Sequence, residues 1–160
     1  MSRTLRIATV FFLLVGSVGF CSQDDPGNQT RPDYPRALVF FHHFQDALRR
    51  NDRDEISKLI QYPLLANLKN KSVRIHTRKE LIANFDAIFD TAVKCVVMHA
   101  TDKDIWGNSN GFSVDTGAIW FDDFSPRGTN TDVKAPDFWT KGTFLIMTIN
   151  NEAFYECKER

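Results

Sequence analysis

Apolar residues recur along this chain with a helical period in its first two thirds and with strand-like runs in its last third. Ala37, Phe40, Phe41, Phe44, Ala47 and Leu48 follow the i, i+3, i+4, i+7 spacing of one helical face, with Asp46, Arg49 and Arg50 outside it. That spacing predicts a helix beginning near Pro35. Asp52 followed by Glu55 has the form of a capping box and predicts a second, short helix carrying Ile56, Leu59 and Ile60, stopped before Pro63. The apolar runs Leu64 to Leu68 and Val73 to Ile75 flank Lys69, Asn70 and Lys71, which predicts a hairpin turning at Asn70. Thr77 and Glu80 form a second capping box, with His76 placed to staple against Leu81. Leu81, Ile82, Phe85, Ile88 and Phe89 continue from it as a helical stripe. The stretch from Ala92 to Met98 suits either state, because Val93, Val96 and Val97 are β-branched, and a helix is preferred.

From Ile105 the pattern is that of strands: Ile105 and Trp106, Gly111 to Val114, a turn at Asp115, Thr116 and Gly117, then Ala118 to Phe124 and Thr143 to Ile149. Gly107, Asn108, Asn110 and Gly111 suggest a bulge or bend within the first of these runs. Between Ser125 and Lys141, Pro126, Gly128 and Pro136 mark a long loop, and loops of that length are often functional. Helices first and strands last predict an α+β fold, its helices packed on one face of a curved, mainly antiparallel sheet.

The N-terminus differs from all of this. Arg3 and Arg6 precede an apolar run from Ile7 to Val15, too short to span a bilayer comfortably, and the small residues Gly16, Ser17 and Gly19 follow. Residues 1–21 therefore read as a cleaved signal peptide, residues 22–34 as a polar, flexible leader, and residues 35–160 as the domain. An exported protein is implied, periplasmic or secreted, with no membrane span left after cleavage. A lipid anchor at Cys21 ranks second, because Phe20 stands where lipobox sequences carry a small residue.

Composition narrows the function classes. Of 160 residues, roughly 140 would remain after cleavage, enough for one core. Fourteen Phe and three Trp supply much of its apolar area. Twenty basic residues balance twenty acidic ones without a block of either sign, which argues against nucleic-acid binding. If Cys21 leaves with the signal, Cys95 and Cys157 remain; a disulfide between them and a pair of free thiols are equally weighted.

The order helix, short helix, hairpin, capped helix and long strands resembles the nuclear-transport-factor-2-like, or SnoaL-like, cone fold. Residues 77–89 and 106–121 are similar to segments of small exported bacterial members of that superfamily. The resemblance covers roughly residues 37–151 and implies a cone whose pocket lies between the helices and the concave sheet, and a homodimer formed through the sheet. Its enzymes usually place an acid–base Asp, His or Tyr in that pocket, but the superfamily also contains binding modules and scaffolds, so the fold does not decide the function.

Residues available for chemistry are His42, His43, Tyr62, His99, Asp102, Asp104, Asn108 and Asp115. His99 near Asp102 and Asp104 is the candidate catalytic cluster, a base oriented by a carboxylate, although a solvated helix end is the commoner reading of such residues. Tyr62, Trp106, Asn108 and Trp120 are the candidate pocket-lining residues. Trp106 and Trp120 are expected on facing strands, where core packing is the better default. The Tyr with a protonated Asp that ketosteroid isomerases use has no counterpart here, only Tyr34, Tyr62 and Tyr155 being present. His42 and His43 point about 100° apart on a helix and do not suit one metal ion. No metal or cofactor is expected, and no nucleotide, serine-hydrolase or zincin motif occurs. The leading expectation is a non-catalytic module for a small apolar ligand or a protein partner. The alternative is a small lyase or isomerase acting on an apolar substrate.

Overall fold

The structure, a computed structural model, describes residues 31, 33–124 and 144–151. The expected signal peptide and leader up to residue 30, the loop expected from Ser125 and the tail with Cys157 lie outside the described residues.

The first helix, α1 (Tyr34–Arg49), buries Ala37, Phe40, Phe41, Phe44, Ala47 and Leu48, the stripe its spacing predicts. The second, α2 (Arg53–Lys58), is capped as expected, with the Asp52 side chain accepting from the Glu55 N–H at 2.9 Å. It is shorter than its apolar pattern implies. Ile60 belongs to β1 (Ile60–Leu68), where its backbone pairs beside Ile146, so strand pairing overrides helical spacing at this residue. The hairpin turning at Asn70 is present, β1 being joined to β2 (Lys71–Ile75) with Leu68 opposite Lys71.

Thr77 caps α3 (Arg78–Ala83) through the Glu80 N–H at 3.2 Å, while the Glu80 carboxylate reaches back to the His76 N–H at 2.8 Å. The helical stripe after it is broken at Asn84, which ends α3 and opens the single turn α4 (Phe85–Ile88). Asp90 caps α5 (Thr91–His99), the stretch for which helix was preferred. A short 3-10 turn (Asp102–Asp104) leads into the strands β3 (Ile105–Asn108), β4 (Gly111–Val114), β5 (Ile119–Asp123) and β6 (Phe144–Asn151).

The six strands form one mixed sheet in the order β2-β1-β6-β5-β4-β3. All pairs are antiparallel except β1 with β6, so an antiparallel meander from β3 to β6 is joined in parallel to the early hairpin. Register shifts interrupt β1 between Ile60 and Leu65 and β5 between Trp120 and Phe121. The expected bulge at Gly107 to Gly111 is instead the β3–β4 hairpin itself. Asn108 pairs with Gly111, the Asn108 side chain accepts from the Asn110 N–H at 2.7 Å, and Gly111 has φ +119°. A Cβ at Gly111 would stand 2.8 Å from the Phe121 carbonyl oxygen, so glycine is required there on both counts.

Directly opposed residues share a face of a sheet, so the register sorts the side chains. Ile105, Val114, Ile119, Ile149, Ala66 and Val73 form one inward row across all six strands, with Phe112, Phe121 and Ile146 beside it. The helices meet this face, and the interior between them is filled by aromatic rings. Phe40 lies 5.1 Å from Phe121 and 5.8 Å from Phe144 between ring centroids, Phe112 stacks on Phe121 at 5.7 Å, and Phe85 stacks on Phe89 at 4.7 Å with Phe44 6.1 Å from Phe89. Each of these rings is buried, and tilted or stacked pairs at such spacings add about 0.5–1.5 kcal/mol apiece to the area they bury.

Candidate functional site

The residues singled out from the sequence fall into separate places. His99 ends α5 and is exposed; its Nδ1 lies 2.9 Å from the Cys95 carbonyl oxygen and 3.5 Å from Cys95 Sγ. Asp102 lies 2.9 Å from Nε2 of His42 on α1, while its backbone carbonyl accepts from the Tyr34 hydroxyl at 2.8 Å. Asp104 turns inward on its own chain, its carboxylate accepting from the Thr101 N–H and hydroxyl, both at 2.8 Å. Asp102 thus reaches across to α1, and Asp104 caps its own turn.

His43 behaves as its helical position implies, with Nε2 3.0 Å from Glu55 of α2. The adjacent histidines thus serve two different elements. Among the described residues, no group of three or more His, Cys, Asp or Glu converges on a metal position. Hydrogen bonds from Lys58 and then from His43 hold the Glu55 carboxyl below the usual carboxylate range.

Tyr62 is half-buried and donates to the Ser57 carbonyl at 3.1 Å, tying β1 to the end of α2; burial raises its pKa. Burial raises that of Tyr34 too, with the Asp102 charge adding to it. Asn108 is exposed in the β3–β4 turn, where its carbonyl accepts from Arg31 at 2.6 Å. Asp115 has φ +51°, its N–H donates to the Asp104 carbonyl at 2.7 Å, and its own carbonyl accepts from the Trp106 indole N–H at 2.6 Å.

The two tryptophans are not on neighbouring strands. Trp106 of β3 and Trp120 of β5 flank β4 and meet edge to face over Ser113, with centroids 5.1 Å apart. They belong to the outer row of the sheet, Trp106, Ser113, Trp120, Thr148, Leu65 and Arg74, which faces away from the helices. They therefore line the outer face of the sheet and not the helix side, where a cone pocket was expected. Beside that row runs a polar chain: Ser72 donates to Asn67 at 2.7 Å, Asn67 to Asn150 at 2.6 Å, and Asn150 to the Gly117 carbonyl at 2.6 Å.

Sequence reasoning missed the cluster at the other end of this sheet. Arg31 donates to both carboxylate oxygens of Asp33, at 3.0 and 2.7 Å, and to Asp122 at 2.9 Å, and its guanidinium lies 4.1 Å above the Phe112 ring. Arg36 of α1 pairs with Asp123 at 2.8 Å close by. Single arginines in a polar stretch carry no periodic signal, so only the folded chain brings them to the sheet. Partial burial pushes the Asp33 carboxyl up, but the hydrogen bond and charge of Arg31, with Arg36 adding, hold it below its ordinary value.

Cys95 is disulfide-bonded, and its partner lies outside the described residues. Among the described residues, no helix is long and apolar enough to cross a membrane. No protein-family model, no curated protein and no solved structure matches this chain.

Proposed function

We propose that this chain is an exported, non-catalytic binding module of the cone-fold type, acting on a protein or a small apolar molecule. The observation that carries the reading is the filling of the space between helices and sheet by Phe40, Phe44, Phe89, Phe112, Phe121 and Phe144. A binding site for a small molecule needs a concavity with a few convergent polar groups. Here the inward faces are taken up by the protein's own rings, and the candidates His99 and Asp102 are exposed at and just beyond the end of α5. The register shifts in β1 and β5 are the kind of irregularity that bends a sheet toward a cone. In this reading Cys95 pairs with Cys157, residues 1–21 are removed on export, and the partner engages the outer row of Leu65, Trp106, Trp120 and Thr148, the long loop from Ser125, or a second copy of the chain.

The test compares two sets of variants purified from the exported fraction. His99→Ala and Asp104→Asn are expected to keep the fold and any co-purifying partner, whereas Leu65→Asp with Thr148→Arg keeps the fold and loses the partner. A turnover abolished by His99→Ala or Asp104→Asn in a chain that remains folded by circular dichroism overturns the proposal.

A further inference from the structure

We propose that the free edge of β2 takes up an extended acidic peptide of another protein as an added strand of the sheet. The inference concerns the sheet edge alone, whatever the outer row or the interior of the domain holds. β2 (Lys71–Ile75) ends the sheet on one side, with β1 as its strand neighbour among the described residues. Leu68 pairs with Lys71 across the loop of Lys69 and Asn70. The closing pair of such a short loop exchanges both backbone hydrogen bonds, and exchanging pairs alternate along an antiparallel ladder. Lys71, Val73 and Ile75 therefore bond to β1, while Ser72 and Arg74 turn their N–H and C=O groups away from the sheet. Both of these residues are exposed. The Ser72 hydroxyl donates to Asn67 at 2.7 Å, which leaves the Ser72 backbone groups open. One N–H and one C=O from each residue, at the strand repeat, form the template that an added strand needs.

Charge selects the occupant. From Lys69 to Lys79 every charged residue is basic: Lys69, Lys71, Arg74, Arg78 and Lys79. Arg78 pairs with Asp54 at 2.8 Å, whereas Lys69, Lys71, Arg74 and Lys79 are exposed and form no ion pair among the described residues. Such charges keep a second copy off this edge, since pairing β2 with β2 would set Lys71 and Arg74 against their own kind. The same charges attract a strand of opposite sign. Ser72 and Arg74 lie on the outer face of the sheet, and Lys71 and Val73 on the inner face, where Val73 is half-buried. A complementary strand thus carries acidic residues opposite Lys71 and Arg74 and an apolar residue opposite Val73. The open backbone groups favour a peptide over an anionic lipid surface, which would use the charges and leave the edge unpaired.

The experiment measures binding of a fluorescein-labelled peptide, Thr-Val-Glu-Val-Thr-Glu-Thr, to the chain by anisotropy at low salt, beside the same peptide with Lys in place of Glu. Hydrogen exchange of the Ser72 and Arg74 amides is followed by NMR in the same samples. The acidic peptide is expected to bind about tenfold more tightly than the basic one and to slow exchange at both amides. Lys71→Glu with Arg74→Glu is expected to weaken the acidic peptide about tenfold. Ser72→Pro removes an outward N–H while leaving the ladder to β1 in place, and is expected to weaken it about three- to tenfold. Circular dichroism verifies the fold of each variant, and the exchange measurement on the wild-type chain needs none of them. Absence of binding, or equal binding of the two peptides, overturns the proposal. So does binding that leaves exchange at Ser72 and Arg74 unchanged, the result that contact through charge alone would give.

Discussion

Trp106 and Trp120 stand on strands that do not pair with each other, yet their rings meet at 5.1 Å and 82° across the backbone of β4. Between them, on the same face, Ser113 is fully buried and its hydroxyl has no hydrogen-bond partner among the described residues. An unmet buried hydroxyl costs about 1–3 kcal/mol relative to a satisfied one. Ser113→Ala is therefore expected to leave stability unchanged or raise it by up to about 1 kcal/mol, read as the urea midpoint. A clear loss would mean that the hydroxyl has a partner.

The turns that set the sheet register are the sites where an added methyl group is most costly. Gly111→Ala combines a positive φ with a Cβ 2.8 Å from a carbonyl oxygen, neither of which a side-chain rotation relieves. A loss of about 2–4 kcal/mol is expected in denaturant unfolding. At Gly107 the obstruction is the Phe112 ring, also at 2.8 Å, with Arg31 at 3.1 Å. Gly107→Ala should cost about 1–3 kcal/mol and weaken the seat of Arg31 on that ring.

Gln45 is a polar residue within an otherwise apolar face of α1. Its amide donates to the carbonyls of Val97 at 2.9 Å and Ala100 at 3.0 Å, closing the end of α5 against α1. Gln45→Leu keeps the volume but leaves those acceptors without this donor, and about 1–3 kcal/mol of stability is expected to go with it. Thermal unfolding of the variant, compared with Gln45→Glu, measures this.

Acid should destabilise the fold through Glu55 and Asp33. Both carboxyls are held below their ordinary values of 4.5 and 3.8 in the folded chain. A depressed carboxyl gives stability that is fully present above its unfolded value and is lost as pH falls through the folded one. Stability is thus expected to decline from about pH 4.5 downward. Glu55→Gln should flatten the upper part of that decline in urea unfolding measured as a function of pH; an unchanged slope would mean that its pairing with Lys58 and His43 contributes nothing.

The parts of the fold legible in the sequence were those set by local chemistry. The α1 stripe, the caps at Asp52 and Thr77, the Asn70 hairpin and the strands after Ile105 each follow from residues within a turn or two of one another. The parts that were not legible depend on distant partners. Ile60 leaves its helical pattern because β6 offers it a strand neighbour. The parallel join of β1 to β6 has no local signal at all. The helical stripe through Phe89 hides the break at Asn84, since α3 and α4 keep the same apolar spacing across it. The candidate site fared similarly: nearness in sequence suggested a His99 cluster, but Asp102 turns to α1 and Asp104 to its own cap, and the arginines at the sheet end are brought together only by the fold.

The protein's own rings occupy the interior between the helices and the sheet, where a pocket for a substrate would have to lie. A crystal structure of the chain purified from its native source, refined with attention to density between α1, α5 and the sheet, tests this most directly. The account predicts that Phe40, Phe112, Phe121 and Phe144 meet, and Phe44 meets Phe89, with no unexplained density among them. Density for a small molecule in that interior, in contact with a tyrosine hydroxyl or with Asp104, would contradict it.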